Sequence, residues 1–135
     1  MRLSCRYKVP ENEIDTLDVE HFTKDGWQKF DLHAKTAGFL IFVYAIFTCQ
    51  HLFLRNNAKE RGLILKSSTG TIEVEAGNDW ALQKLHVQFE IELDSGEANE
   101  ENLTWIQDRM RHCPVSINLR DIPDSQTLVR LKRSL

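Results

Sequence analysis

The feature that most limits how this chain can fold is the run from Gly38 to Cys49, Gly-Phe-Leu-Ile-Phe-Val-Tyr-Ala-Ile-Phe-Thr-Cys, which carries no charge. Thr36 is placed to cap a helix there, and Gly62 to end it, which predicts a helix over 36–61. Phe39, Phe42, Ile46, Cys49 and Phe53 follow three- and four-residue spacing on one face, while Leu40, Val43, Phe47 and Leu54 cover much of the rest. A helix apolar nearly all round must be buried on most sides. In a chain of 135 residues that requires a sheet on one side and a second subunit on another.

A bilayer is the competing explanation. The segment from Ala37 to Cys49 spans 13 residues, whereas a crossing needs roughly 20. Gln50, His51 and Arg55 follow at once, so a core helix is expected and no membrane. The opening Met1-Arg2-Leu3-Ser4-Cys5-Arg6 lacks the apolar stretch of a secretory signal. Three cysteines cannot all pair within one chain, which fits a reducing, cytoplasmic setting. A net charge of −3, with basic residues clustered only at Arg130-Leu131-Lys132-Arg133, gives no concentrated basic face for nucleic acid.

The remaining segments read mostly as strands. Residues 2–9 and 13–22 alternate between apolar and polar, with a turn at Pro10-Glu11-Asn12. Asp25-Gly26 is a hairpin dipeptide, and Gln28–His33 is expected as the third strand. Strands follow over 63–75 and 82–93, joined at Gly77-Asn78-Asp79. The second places Leu85, Val87, Phe89, Ile91 and Leu93 on one face. Ser67-Ser68-Thr69-Gly70 lacks the pattern of a phosphate loop and reads as a bend. Asn99-Glu100-Glu101-Asn102 opens a second helix with the apolar stripe Leu103, Ile106, Met110, and a last strand runs from Gln126 to Lys132. The expectation is one α+β domain over 1–135: N-terminal strands to 35, the Cys-bearing helix over 36–61, and strands, second helix and final strand over 62–135, with both helices on an antiparallel sheet.

The chemistry-bearing residues are Cys49, at the end of the apolar run, and Cys113 in His112-Cys113-Pro114-Val115-Ser116. Taken alone, Cys49 reads as a small buried hydrophobe. Cys5, on the first strand, reads as a packing residue. His51 points about 200° round the helix from Cys49 and is poorly placed as its base. His112 is either a modulator of Cys113 or a dipole partner at a helix end. Neither C-x-x-C nor H-x-x-x-H spacing occurs, so no metal or other cofactor is expected.

The helix leading through small and apolar residues to Cys49 and on through Leu52 and Arg55 to Lys59-Glu60-Arg61-Gly62-Leu63, followed two strands and a helix later by Cys113-Pro114-Val115-Ser116 and Asn118, resembles the OsmC/Ohr family of organic hydroperoxide reductases. The resemblance covers roughly 36–132, and the first 35 residues match only in strand pattern. It implies an OsmC-like fold in an intertwined homodimer with sites at the subunit interface. It also implies a thiol peroxidase in which Cys49 attacks a small hydroperoxide, Cys113 resolves the sulfenic acid as a disulfide, and an external dithiol reduces the pair. One family feature is missing. There is no Asp or Glu from Leu32 to Lys59, where the glutamate that holds the activating arginine is expected. That departure keeps a second expectation open: a relative that binds a small apolar molecule at the interface without turnover.

Overall fold

The structure is a computed structural model of the chain and describes residues 1–133. Its elements in chain order are β1 (Arg2–Lys8), β2 (Glu13–Thr23), β3 (Gly26–Lys29), α1 (Gly38–Glu60), β4 (Ile64–Ala76), β5 (Leu82–Ser95), α2 (Glu100–Arg111), a 3₁₀ turn (Ser116–Asn118) and β6 (Asp124–Leu131). The six strands form one sheet in the order β3-β2-β1-β4-β5-β6.

The first three strands are the expected meander. Gly26, at φ +92°, makes the tight β2–β3 turn that a side chain would resist. The third strand is shorter and earlier than predicted, because it ends at Lys29. Phe30 then leaves the ladder with its N–H on the Val19 carbonyl at 2.8 Å, and its buried ring joins the core.

Two further expectations are corrected. Ser67–Gly70 is no bend: it lies inside β4, hydrogen-bonded to β1 on one edge and β5 on the other. Gly70 is needed there for space, since a Cβ at that position would lie 2.6 Å from the Phe89 ring and 3.2 Å from that of Phe47. The sheet is also mixed rather than antiparallel throughout. β6 pairs parallel to β5, with Val87 opposite Thr127 and Phe89 opposite Val129. A helix between two neighbouring strands carries the chain back to its starting end, so they run the same way; α2 is that crossover.

β5 keeps its alternation, with Leu85, Val87, Phe89 and Ile91 buried. In α2, Ile106 and Met110 are fully buried, and Asn99 caps the helix by accepting from the Asn102 N–H at 2.8 Å. Trp105 sits at the edge, with the Arg61 guanidinium 4.0 Å above its ring.

α1 departs most from expectation. Thr36 does not cap it: its hydroxyl accepts from the His33 N–H at 3.0 Å and closes the preceding turn, leaving Ala37 at the N-cap with no side-chain bond. The helix is 23 residues long, so by length and composition it could cross a bilayer, but one face is packed inside the protein. That covered stripe is Val43, Ile46, Phe47, Gln50, His51, Leu54, Asn57 and Ala58, rotated from the predicted face. Phe39, Phe42, Cys49 and Phe53 lie at its flank. Each of Ile46, Phe47 and Leu54, at most 1% exposed, contributes about 1.5–3 kcal/mol of burial.

Candidate functional site

Polar residues on the covered stripe of α1 set where the site lies. A buried amide needs partners for both its donor and its acceptor. Gln50 is 2% exposed; its Nε2 donates to Ser116 Oγ at 3.0 Å and its Oε1 accepts from Thr127 Oγ1 at 3.1 Å. This one side chain therefore ties α1 to the 3₁₀ turn and to β6. It holds the Cys113–Ser116 segment against the helix one residue after Cys49.

The segment is shaped by its own bonds. The Cys113 carbonyl accepts from the Ile117 N–H at 2.9 Å, and the Asn118 amide donates to the Pro114 carbonyl at 2.8 Å. Two successive amides consequently face the sulfurs. The Ser116 N–H donates to Cys113 Sγ at 3.3 Å, and the Val115 N–H reaches the Cys49 sulfur. The Cys113 thiol lies close enough to Cys49 to influence its ionisation. The structure thus brings together the two residues singled out in the sequence, both as free thiols. Cys113 is fully buried, whereas Cys49 is partly open to solvent.

The electrostatics are unusual for a reactive thiol. Burial, and then the neighbouring Cys113 thiol, push the Cys49 thiol up to about 11, and the Val115 N–H pulls more weakly the other way. At pH 7 that leaves on the order of one part in ten thousand as thiolate. No cation is among the groups acting on it. The missing helix acid is thus matched by a missing activating charge among the described residues.

The other candidates fall elsewhere. His51 is 1% exposed and faces the sheet, not Cys49. Its Nε2 is 2.7 Å from the Tyr7 hydroxyl, which bonds Ser68 Oγ at 2.5 Å, and its ring stacks on Phe89. Burial, reinforced by the Arg55 charge, holds the imidazole down at about 3, so it stays neutral at ordinary pH. Cys5 is buried at 2% exposure in the core, as a packing residue should be. His112 donates from Nδ1 to the Asp108 carbonyl at 2.7 Å and serves the end of α2. Among the described residues no group of His, Cys, Asp and Glu is arranged to hold a metal ion. Sequence reasoning missed Gln50. Its one available signal was a lone amide directly after Cys49 in an otherwise apolar run.

No protein-family profile and no curated relative matches the sequence. Solved structures do match the fold. An OsmC-like protein from Mycoplasma pneumoniae superposes with a TM-score of 0.55 at 11% identity, over 85% of this chain and 94% of its own. An OsmC-like hydroperoxide resistance protein from Jannaschia gives 0.53 at 13% identity, over 87% and 85%. An OsmC-like protein of unknown function from Vibrio cholerae gives 0.53 at 12% identity, over 96% and 97%.

Proposed function

We propose that this chain, which has the OsmC/Ohr fold, is a cytosolic, thiol-dependent peroxidase that works as a homodimer. The observation that carries the reading is the pairing of Cys49 and Cys113, from distant parts of the chain, beside two backbone N–H groups. In the proposed cycle the Cys49 thiolate attacks the distal oxygen of a hydroperoxide. The O–O bond breaks, the alcohol leaves after taking up a proton, and Cys49 becomes a sulfenic acid. The Cys113 sulfur then attacks the Cys49 sulfur and water is lost, forming the disulfide. An external dithiol reduces it by exchange. Burial of Cys113 protects it from direct oxidation, and the opening at Cys49 admits the peroxide.

The homodimer part rests on the uncovered side of α1. Ile41 and Leu52 are 39% and 41% exposed, with Ala45 and Thr48 between them at helical spacing. An apolar stripe beside a partly open thiol suits a subunit interface. A partner could also supply the positive charge that Cys49 lacks. The test is consumption of tert-butyl hydroperoxide with a dithiol present: turnover lost in Cys49→Ser supports the reading, and equal loss of peroxide in the variant contradicts it.

One observation favours a second reading, in which the interface holds a small apolar molecule without turnover. The Cys49 thiol is raised to about 11 with no cation nearby. Mass spectrometry of the gently purified protein separates the two, because only this reading predicts a retained apolar ligand together with no peroxide turnover.

A further inference from the structure

Behind the thiol pair, between the end of α2, the 3₁₀ turn and β6, lies a cleft of 380 Å³. Its lining is of three kinds. Leu85, Ile117 and Leu119 are its apolar residues. Gln50, Ser116 and Thr127 form a polar inner end, and each of them is at least nine-tenths buried. Arg111 and Arg120 stand at the rim beside His112.

The inner end keeps unused hydrogen-bonding capacity. Gln50 Nε2 spends one of its two hydrogens on Ser116 Oγ, and the Ser116 hydroxyl hydrogen is not committed by that bond. At the rim, Arg120 Nε donates to the Ile117 carbonyl at 3.0 Å, which anchors the guanidinium at the mouth and leaves its terminal nitrogens available. Neither arginine has an ion-pair partner among the described residues. No aspartate or glutamate lines the cleft. In a chain of net charge −3, two unpaired guanidiniums with no acid between them make a local positive site in an otherwise acidic protein.

We propose that this cleft binds a small organic anion, with a carboxylate or phosphate head between Arg111 and Arg120 and an apolar body along Leu85, Ile117 and Leu119. Planar guanidiniums suit either oxyanion through paired N–H donors. The volume accommodates a short chain rather than a bare ion. Occupancy would be felt at the thiols, because Ser116 lines the cleft with its side chain while its N–H holds Cys113 Sγ. Anion binding at this cleft is independent of peroxidase activity.

The experiment is isothermal titration of the reduced, full-length protein, without peroxide, using hexanoate, hexyl phosphate and neutral hexanol in turn. At least one anion is expected to bind, hexanol much more weakly, and the preferred anion identifies the head group. Arg111→Gln and Arg120→Glu, both at exposed positions, should each weaken that anion by about tenfold or more, as loss of a charged hydrogen bond does. Lys24→Ala, in the turn at the opposite edge of the sheet, should leave it unchanged. Circular dichroism spectra matching the wild type would exclude unfolding as the cause. No binding of either anion, equal binding of hexanol, or arginine variants that bind like Lys24→Ala would each overturn the proposal. None of those results bears on peroxide turnover.

Discussion

Two sides of the same helix depart from the usual division of apolar inside and polar outside. The side of α1 packed inside the protein sets three polar residues, Gln50, His51 and Asn57, among apolar Val43, Ile46, Phe47, Leu54 and Ala58. The opposite side carries Ile41, half-buried Ala45, Thr48 and Leu52 along its first half, and turns polar only at Asn56 and Lys59. An ordinary surface helix hides its apolar stripe and wets its polar one. Here His51 is bonded to β1 and Gln50 to the 3₁₀ turn and to β6, which fixes where the helix sits, while Asn57 donates to the Phe53 carbonyl within the helix itself. Cys49 lies at the boundary, with sealed residues following it and an open stripe beside it. The contrast teaches that α1 is held by its buried apolar side chains and positioned by its polar bonds, and that the apolar residues left on its other side suit a second copy of the chain.

The comparison breaks first, if at all, at His51. His51→Ala removes a ring stacked on Phe89 and a hydrogen bond to Tyr7, and we expect a loss of about 3 kcal/mol in urea unfolding. A change below about 0.5 kcal/mol would mean that the sealed side is not an anchor. The same residue predicts a pH dependence. Its imidazole is held at about 3 in the fold against about 6.5 when unfolded. Below 6.5 the unfolded chain therefore takes up a proton that the native protein refuses. Stability present above pH 6.5 is lost as pH falls toward 3, at a limiting slope of about 1.4 kcal/mol per pH unit. His51→Leu should flatten that part of the profile; an unchanged slope would assign it to other groups.

A smaller effect is expected at Gly70, under the same core. Gly70→Ala drives a methyl into the Phe89 ring, and the midpoint of unfolding should fall by an amount equivalent to about 1–3 kcal/mol. A wild-type midpoint would show that Phe89 can swing aside at no cost. On the bare side the stability change should be smallest. Leu52→Asp, at a 41% exposed position, should shift the stability of the isolated chain by no more than about 0.5 kcal/mol. Light scattering should nonetheless find a dimer in the wild type and a monomer in this variant. A dimer that survives the change would remove the interface from this stripe.

These residues also show what could be read from the sequence and what could not. Period-2 alternation located β5 because only one of its faces meets the core, and the Cys113-Pro114-Val115-Ser116 segment with Cys49 led to the OsmC/Ohr fold. The covered face of α1 was misjudged because hydrophobicity alone assigns the core, whereas Gln50 and His51 enter it through partners on β1, β4, β6 and the 3₁₀ turn that lie far away in sequence. Ser67–Gly70 read as a bend because serine and glycine favour turns. Pairing on both edges overrides that preference, and Phe89 makes the glycine a matter of space. The parallel last strand was hidden because strand direction follows from the path of α2, not from the composition of β6.

The most direct test of the account concerns Cys49 and Cys113 themselves. Reduced protein would be treated with one equivalent of tert-butyl hydroperoxide, quenched with an alkylating agent and digested for mass spectrometry. We predict a peptide pair joined through Cys49 and Cys113, with Cys5 alkylated only after denaturation and Cys49 accumulating as sulfenic acid in Cys113→Ser. Both thiols recovered unoxidised, or a disulfide that instead involves Cys5, would contradict it.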